Sequence, residues 1–261
     1  MLGLVYQLCQ TLVRYTRDMG EVRGSVRQRV YEEVRRRIVS LELPPKSPIS
    51  ENDLARELGV SRTPVRESLL LLREEGFVQV FPQMGTFVSH VDIERVLQAQ
   101  FIRESIECTA LAEVDCGVAS SHLDALHANL RAQREAEKHA DTSEFFVLDE
   151  EFHLCLLRLS GRESAWPVVQ SAKSHLDRAR RVGLVIHSLP ALIDQHQRVV
   201  DGVKTGDLDS AVRVLREHLR EILTDLELIR QQTPDLFSSG EMRPVRRLVT
   251  TLEPTPSPVP E

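Results

Sequence analysis

Residues 50–88 constrain the fold most, because their start and stop signals define two short helices with almost no chain between them. They read SENDLARELGVSRTPVRESLLLLREEGFVQVFPQMGTFV. Ser50 is suited to cap the first helix and Gly59 to end it, since a hydroxyl accepts from free N–H groups and glycine adopts the left-handed terminal conformation. Ser61 or Thr63 can then cap a second helix directly afterwards. Two helices joined by so tight a turn are typical of a helix-turn-helix.

A further helix and a hairpin flank this pair. Valine or isoleucine recurs every fourth residue from Val26 to Ile38, which predicts an amphipathic helix over about 26–40. Gly76 ends the last helix, and the β-rich runs FVQVF and TFVSHV are joined by PQMG, which predicts a hairpin. Residues 25–90 are therefore predicted to form a winged helix-turn-helix, a domain whose third helix enters the major groove of DNA.

Two arginines four residues apart, Arg62 and Arg66, open the third helix on one face. Val65, Leu69 and Leu72 form an adjoining stripe that would hold this helix to its own domain. Two guanidinium groups at a helix N-terminus can form bidentate hydrogen bonds with the edge of a guanine or with a phosphate. The alternative is an ordinary solvated helix face, but the order of helices and hairpin favours DNA binding.

Composition narrows the possible classes of protein. The chain has 261 residues, 41% of them hydrophobic and 28% charged, which is typical of a globular protein with two domains. No apolar run approaches the ~20 residues of a membrane span. The four cysteines include no CxxC pair, which favours the reducing cytoplasm. Residues 1–90 carry 13 Lys/Arg and 11 Asp/Glu, a net charge of +2. Residues 91–261 carry a net charge of −8, which gives −6 for the whole chain. An anionic partner would therefore prefer the N-terminal part.

Residues 91–232 predict an antiparallel all-α bundle, so the fold class of the whole chain is mainly α. Six helical segments follow one another with short connections, at about 92–118, 121–139, 142–160, 164–183, 189–204 and 208–231. Residues 1–24 form an extension that is either a short extra helix or the product of a start codon placed too early. Residues 233–261 hold six of the thirteen prolines and are predicted to be a disordered tail.

An aspartate and three histidines interrupt the apolar stripes of three bundle helices. Asp149 and His153 lie four residues apart on one helix, and His196 and His218 lie on two others. One carboxylate and three imidazoles that converge in a core form a ligand set for a first-row transition metal. The alternative is that they are ordinary core histidines, since His127 also interrupts a stripe without an evident role. Spacing alone leaves both interpretations open.

The stretch LPPKSPISENDLARELGVSRTPVRESLLLLREEGFVQVFPQMGTFV closely resembles the DNA-binding domain of the GntR family of bacterial transcription regulators. The resemblance covers about residues 26–90, and GVSRTPVRE is a specific part of it. Asn52 stands where family members often carry arginine, so a DNA contact there would come from a shorter side chain. The resemblance implies contacts with double-stranded DNA: to bases or phosphates from Arg62 and Arg66, to phosphates from Ser61 and Thr63, and through the wing turn at Gly85.

The pattern DxxFH, followed by histidines in DQHQRVVDGVKTGD and REHLREI, resembles the metal-binding FCD-type effector domain of the fatty-acid-regulator (FadR) branch of that family. The six-helix arrangement is similar to the vanillate-regulator (VanR) subgroup. The resemblance covers residues 92–231 and implies a divalent transition metal, with zinc as the first choice and nickel or manganese as alternatives. The implied metal ligands are Asp149, His153, His196 and His218.

The same resemblance implies that the metal supports binding of a small carboxylate effector. The segment IRESIE supplies Arg103 and Glu107, which correspond to an R-x-x-x-E pair on the first bundle helix. Arg103 is the candidate for clamping the carboxylate, because a guanidinium meets a carboxylate through two parallel hydrogen bonds. The alternative is an exposed ion pair between these two residues, one turn apart on a helix.

The leading hypothesis from these patterns is a ligand-responsive transcription regulator, a repressor released by its effector. One recognition helix per chain reads few base pairs, which predicts a homodimer on a palindromic operator. Because the first bundle helix follows the wing closely, its movement is predicted to change the spacing of the two recognition helices. A helical metalloenzyme with a carboxylate/histidine centre is the alternative. A nucleoid-type structural binder would not explain ligand-type residues within an acidic bundle.

Overall fold

A computed structural model of the chain describes residues 25–115, 120–186 and 188–237. The predicted extension over 1–24 and the tail beyond residue 237 lie outside the described residues. Within the described ranges the fold is mainly α with one small sheet, as predicted. None of the described helices is long and apolar enough to cross a membrane.

The N-terminal part is a winged helix-turn-helix. Its elements are α1 (Val26–Val39), β1 (Pro48–Ile49), α2 (Glu51–Glu57), α3 (Arg62–Glu74), β2 (Val78–Phe81) and β3 (Gly85–Val88). The predicted hairpin is β2 paired with β3, in antiparallel register. Strand β1 was not predicted; it pairs with the other edge of β3, so the sheet order is β1-β3-β2. A strand of two residues is too short to show alternation, so its sequence carries no signal for it.

The predicted caps and apolar stripes account for most of this domain. The hydroxyl of Ser50 accepts a hydrogen bond from the N–H of Asp53 at 3.2 Å, which caps α2. Val65 and Leu72 of α3 are fully buried in the domain core. Val26 departs from its predicted place in the buried stripe of α1, since it is 42% exposed. It occupies the first position of that helix, beyond the reach of the core.

The C-terminal part is an all-helical domain. Its helices are α4 (Ile93–Ala112), α5 (Ser120–Lys138), α6 (Thr142–Leu159), α7 (Trp166–Ala172), α8 (Ser174–Ile186), α9 (Leu189–Thr205) and α10 (Leu208–Gln232). The single helix predicted over 164–183 is therefore wrong, because the chain breaks at Lys173 into α7 and α8. Lys173 is buried, and its ammonium lies 2.6 Å from Asp177 and also pairs with Glu150. The pair with Glu150 is a tertiary contact, and a contact of this kind leaves no trace in helical periodicity.

The first residues of the predicted disordered tail are ordered, which corrects that prediction for 233–237. Pro234–Leu236 forms a single 3₁₀ turn, and Leu236 and Phe237 are only 6% and 4% exposed. The N–H of Val91 donates to the carbonyl of Leu236 at 2.8 Å. The prediction rested on proline content, and all but one of those prolines follow the apolar pair that anchors this turn.

Candidate functional site

The residues implied in DNA binding are all exposed and lie around the helix-turn-helix and the wing. Ser61 is the N-cap residue of α3, yet its side chain makes no capping hydrogen bond. The hydroxyl and the first N–H groups of the helix are thus able to bind a phosphate. The exposed set comprises Asn52 in α2, Ser61, Arg62, Thr63 and Arg66 at the start of α3, and Gly85 at the start of β3.

Arg62 and Arg66 converge on one carboxylate. Nη2 of Arg62 lies 3.4 Å from Oε2 of Glu51, and Nε of Arg66 lies 3.4 Å from Oε1 of the same residue. Exposed ion pairs of this kind contribute little to stability. Glu51 therefore lies between the two guanidinium groups without fixing either of them strongly.

Gly85 occupies a position in the wing that favours glycine. Its φ angle is +110°, a backbone conformation that residues other than glycine rarely adopt. A Cβ atom added at this position would meet no atom within 4 Å. A substitution would thus be disfavoured by backbone conformation and not by crowding. The open space around this residue lets another backbone approach the wing closely.

The four metal-ligand candidates converge inside the helical domain. Asp149 and His153 come from α6, His196 from α9 and His218 from α10. All four are buried, with exposures of 2%, 0%, 0% and 8% in that order. One potential ligand atom from each lies within 4.8 Å of the others. The fold thus brings all four residues together, and their role as metal ligands stays a prediction.

The spacing of these atoms suits a metal ion. Nε2 of His218 lies 3.2 Å from Nε2 of His196 and 3.3 Å from Nε2 of His153. Oδ1 of Asp149 lies 3.5 Å from Nε2 of His196. Ligands at ~2.1 Å from a zinc-like ion are separated by about 3.0 Å for right-angle and 3.4 Å for tetrahedral geometry. These three separations thus match what coordination requires, whereas Nε2 of His218 lies 3.9 Å from Oδ1 of Asp149 and would have to move closer.

Each histidine is held by an oxygen atom at its other ring nitrogen. Nδ1 of His153 lies 2.6 Å from Oε2 of Glu107. Nδ1 of His196 is 2.8 Å from Oε1 of Gln133, and Nδ1 of His218 is 2.8 Å from Oε1 of Gln195. An acceptor at Nδ1 places the proton there and leaves the Nε2 lone pair for a metal. The Nε2 atoms of the three rings face one another in this buried space.

The two glutamines were not identified from the sequence, although one of them left a signal. Gln133 is fully buried, and its amide donates to Oδ1 of Asn129 at 2.7 Å. Asn129 in turn donates to the carbonyl of Leu148 at 2.9 Å. The signal is that Asn129 and Gln133, two amide side chains one helical turn apart, stand next to the apolar residues Leu126 and Leu130. This spacing indicates polar groups within a buried stripe. Gln195 precedes His196 and carries no comparable signal.

Burial and nearby charge determine the protonation of the cluster. Burial is the largest influence on the pKa of His196 and lowers it to about 3. Burial likewise places the pKa of His218 well below its usual range. For Asp149 burial is the largest single influence and would raise the pKa, but Arg180 and the three histidines together hold the pKa well below its usual value. A carboxylate and neutral imidazoles are the protonation states that metal ligands need.

Arg180 is the third residue that the sequence analysis missed. Its guanidinium pairs with Asp149 and lies 2.6 Å from Oε1 of Glu150 and 3.3 Å from Oδ1 of Asp177. Lys173 and Arg180 also lower the pKa of Glu150 to about 2, against the opposing effect of burial. Arg180 lies in an ordinary-looking basic run, DRARR, so only the packing of α8 against α6 reveals its place.

Arg103 and Glu107 form an ion pair of 2.7 Å whose side chains are only 3% and 0% exposed. The alternative of an exposed surface pair is therefore wrong. The second oxygen of Glu107 faces Nδ1 of His153, and the prediction that Arg103 and Glu107 bind an effector stays a prediction. Nη2 of Arg103 is buried without a hydrogen-bond partner. Arg103 also lines a small cavity beside the cluster, together with Asp149, Arg180, Gly183, Leu184, Leu192, His218, Leu219, Glu221, Ile222 and Asp225.

A winged helix-turn-helix with exposed arginines, joined to a helical domain that holds a buried Asp/His cluster, is the architecture of a two-domain DNA-binding protein. Residues 26–88 match the family described as "Bacterial regulatory proteins, gntR family", and residues 98–221 match the FCD domain. The chain belongs to the GntR family of bacterial regulatory proteins and carries an FCD domain.

Relatives and solved structures agree with this assignment. The chain is 44% identical to an uncharacterized HTH-type transcriptional regulator in an unstable DNA locus of Streptomyces ambofaciens, over 90% of this chain and 100% of the relative. It is 33% identical to the HTH-type transcriptional repressor RspR of Escherichia coli K12, over 82% and 94%. The solved structure of E. coli McbR/YncC superposes with a TM-score of 0.65 at 19% identity, covering 80% and 99%, and shows the shared fold.

These relationships decide between the classes of function. The family and these relatives are transcriptional regulators, so the chain is a DNA-binding transcriptional regulator and not an enzyme. The alternative of a helical metalloenzyme is excluded on that ground.

Proposed function

We propose that the protein is a ligand-responsive repressor, released from a palindromic operator when a small carboxylate binds beside a metal in the FCD domain. One observation carries the proposal: Asp149, His153, His196 and His218 present four buried ligand atoms within 4.8 Å of one another. Buried polar groups of this number persist only where they serve a ligand or satisfy each other. RspR, one of the relatives, is named a repressor.

The donor set fits a divalent transition metal. Three imidazole nitrogens and one carboxylate oxygen suit zinc first, and also nickel or manganese. When bound, such an ion supplies positive charge and open coordination positions for an anionic ligand. The chain's own contribution is orientation, because Glu107, Gln133 and Gln195 hold the three histidine rings with Nε2 facing inward.

The cavity beside the cluster supports a carboxylate as the effector. Arg103 and Arg180 line it together with the ligands Asp149 and His218. The unpartnered Nη2 of Arg103 is a donor that a carboxylate oxygen would satisfy. Leu184 and other apolar side chains form the remaining wall, so the effector is a small acid with a partly apolar body.

A thermal-shift screen of small carboxylates, each with and without a chelator, tests this function. A ligand that binds only the folded protein at 100 times its Kd adds about 2.7 kcal/mol to the free energy of unfolding. We expect sugar acids, hydroxy acids, aromatic acids and dicarboxylates to separate into binders and non-binders, and the chelator to abolish the shift. A stabilising acid whose effect is unchanged by chelator would contradict the role of the metal.

The DNA-bound form is proposed to be a homodimer, which acts on DNA in the bacterial cytoplasm. Two recognition helices related by a two-fold axis double the base contacts and match a palindromic operator. The exposed apolar pair Leu97 and Phe101 on α4, one turn apart and 47% and 72% exposed, supports an interface on this face. Band shifts should show cooperative loss of binding when either half-site is scrambled.

The Phe101→Asp variant is expected to dissociate the dimer. Burying a Phe side chain contributes about 1.5–3 kcal/mol, and a two-fold interface counts it twice. The dimer Kd, measured by analytical ultracentrifugation, should therefore rise more than about 100-fold. Val147→Asp places the same charge at another exposed apolar position and serves as the control. A dimer unaffected by Phe101→Asp would place the interface elsewhere, and a monomeric wild type would contradict the dimer itself.

The Gln133→Leu variant is expected to weaken metal binding by about 10–100-fold, the usual effect of losing a partner that orients a ligand. The substitution leaves Nδ1 of His196 without its acceptor, so the ring loses its fixed tautomer. Calorimetric titration with zinc would measure the change. Gln197→Leu is the matched control, because Gln197 contacts only Arg134 and Asp201. Unchanged zinc affinity in Gln133→Leu would show that the ring needs no such support.

A further inference from the structure

Helix α8 contacts both the DNA-binding domain and the Asp/His cluster. Its first turn faces the N-terminal domain, where the ring of His175 stacks on Phe77 with centroids 4.7 Å apart. Nε2 of His175 also lies 3.3 Å from the carbonyl oxygen of Glu75. Glu75 is the residue that ends the recognition helix α3, so α8 touches the C-terminal end of that helix directly.

Arg178 extends this contact to the exit of the wing. Nη2 of Arg178 donates to the carbonyl of Ser89 at 2.7 Å, and Nη1 lies 3.4 Å from the carbonyl of His90. These two residues follow β3 and lead into α4. The Arg178 side chain is fully buried. Nε of Arg178 has no hydrogen-bond partner, and a buried guanidinium is costly unless its other N–H groups are bonded, so the bonds of the two Nη atoms favour one fixed position of the wing relative to α8.

The next turn of α8 faces the cluster. Arg180 pairs with the ligand Asp149 and with Glu150, and Gly183 and Leu184 line the neighbouring cavity. Arg178 and Arg180 are two residues apart on one continuous helix. Because a helix is rigid over so short a distance, a displacement of the helix backbone at Arg180 also displaces the backbone at Arg178.

We propose that α8 couples the effector site to the DNA-binding domain, with Arg178 as the residue that positions the end of the recognition helix and the exit of the wing. This inference rests on the proposed function, since it assigns the regulation of the same site. A dication at the cluster opposes the attraction of Arg180 to Asp149, and an anion in the cavity offers Arg180 another partner. The position of α8 therefore depends on what the site holds.

Hydrogen exchange of the full-length protein, with zinc chloride alone and with chelator, tests the coupling. In the wild type, zinc should slow exchange in α6, α9 and α10, which carry the ligands. It should also change the local opening equilibrium of α3 and of residues 85–90 about fivefold or more, the lower end of typical coupling between sites. In Arg178→Met the change in α3 and 85–90 should be lost while that in α6, α9 and α10 remains.

Arg181→Met is the matched control, since Arg181 lies on the same helix but its guanidinium stacks over Phe146 within the helical domain, at 3.9 Å. It should retain the wild-type response. Arg178→Lys keeps the charge but replaces the two separate Nη donors by a single ammonium nitrogen, so it should show a reduced response and covers the case in which Arg178→Met fails to fold.

Three outcomes would overturn the inference, and they separate it from the proposed function. Zinc protection of the ligand helices without any change in α3 or 85–90 of the wild type would exclude coupling through α8 and leave the metal site intact. A response that persists in Arg178→Met or is undiminished in Arg178→Lys would exclude the role of Arg178. Absence of any zinc effect on the ligand helices would overturn both the metal site and the coupling.

Discussion

The His196→Ala variant is expected to lose metal affinity by more than about 100-fold, which exceeds the 10–100-fold usual for a residue that only orients a ligand. His196 is central to the cluster, because its Nε2 lies 3.2 Å from that of His218 and 3.5 Å from Oδ1 of Asp149. The substitution removes one of the four donor atoms. Zinc titration by calorimetry, with metal content measured after dialysis, would check the loss.

The same variant should bind operator DNA as the wild type does when effector is absent. The N-terminal domain has its own core around Val34, Val65 and Leu72, which His196 does not enter. The effector response should disappear together with the metal. Because coupling between two sites is reciprocal, operator DNA should weaken effector binding to the wild type by the factor by which effector weakens operator binding.

His127→Ala is the control for this experiment, since His127 also interrupts an apolar stripe but stands outside the ligand cluster. It should leave both metal binding and effector response unchanged. Stoichiometric metal and a full effector response in His196→Ala would show that the site lies elsewhere and that His196 is only a core histidine.

The Arg66→Ala variant is expected to cost about 1–3 kcal/mol of specific DNA binding, or roughly 5–150-fold in affinity, if Arg66 reads a base edge. Arg66 is exposed in the first turns of α3, and its contact with Glu51 is long at 3.4 Å, so little holds it away from DNA. If Arg66 touches only phosphate, affinity should fall equally for all sequences and the salt dependence should weaken. Titrations at several salt concentrations, with operator and scrambled DNA, distinguish the two cases.

Arg213→Ala is the matched control for the loss of one positive charge, since Arg213 is exposed on α10 in the other domain. It should alter neither the affinity nor its salt dependence. Arg66→Ala behaving like this control in both measurements would remove Arg66 from the DNA interface.

Local signals in the sequence determined the N-terminal domain almost completely. Ser50 and Gly59 fixed the bounds of α2, and the stripe of Val65, Leu69 and Leu72 fixed the buried face of α3. Such elements are predictable because caps and periodicity act between residues close in sequence. The strand β1 escaped prediction, since its pairing with β3 joins residues far apart in sequence and its two residues carry no pattern.

The sequence also indicated one part of the cluster, because Asp149 and His153 one turn apart must share a face of α6. Only the tertiary structure brought His196 and His218 to the same point, because α9 and α10 pack against each other while α9 also packs against α5 and α10 against α4. It likewise decided that Glu107 faces His153, that Gln133 holds His196, and that Arg180 pairs with Asp149. Each of these contacts joins side chains on two different helices, at positions 31 to 63 residues apart in the sequence. No local rule relates such positions. Helix periodicity fixes which face a residue occupies, whereas the packing of whole helices fixes which faces meet.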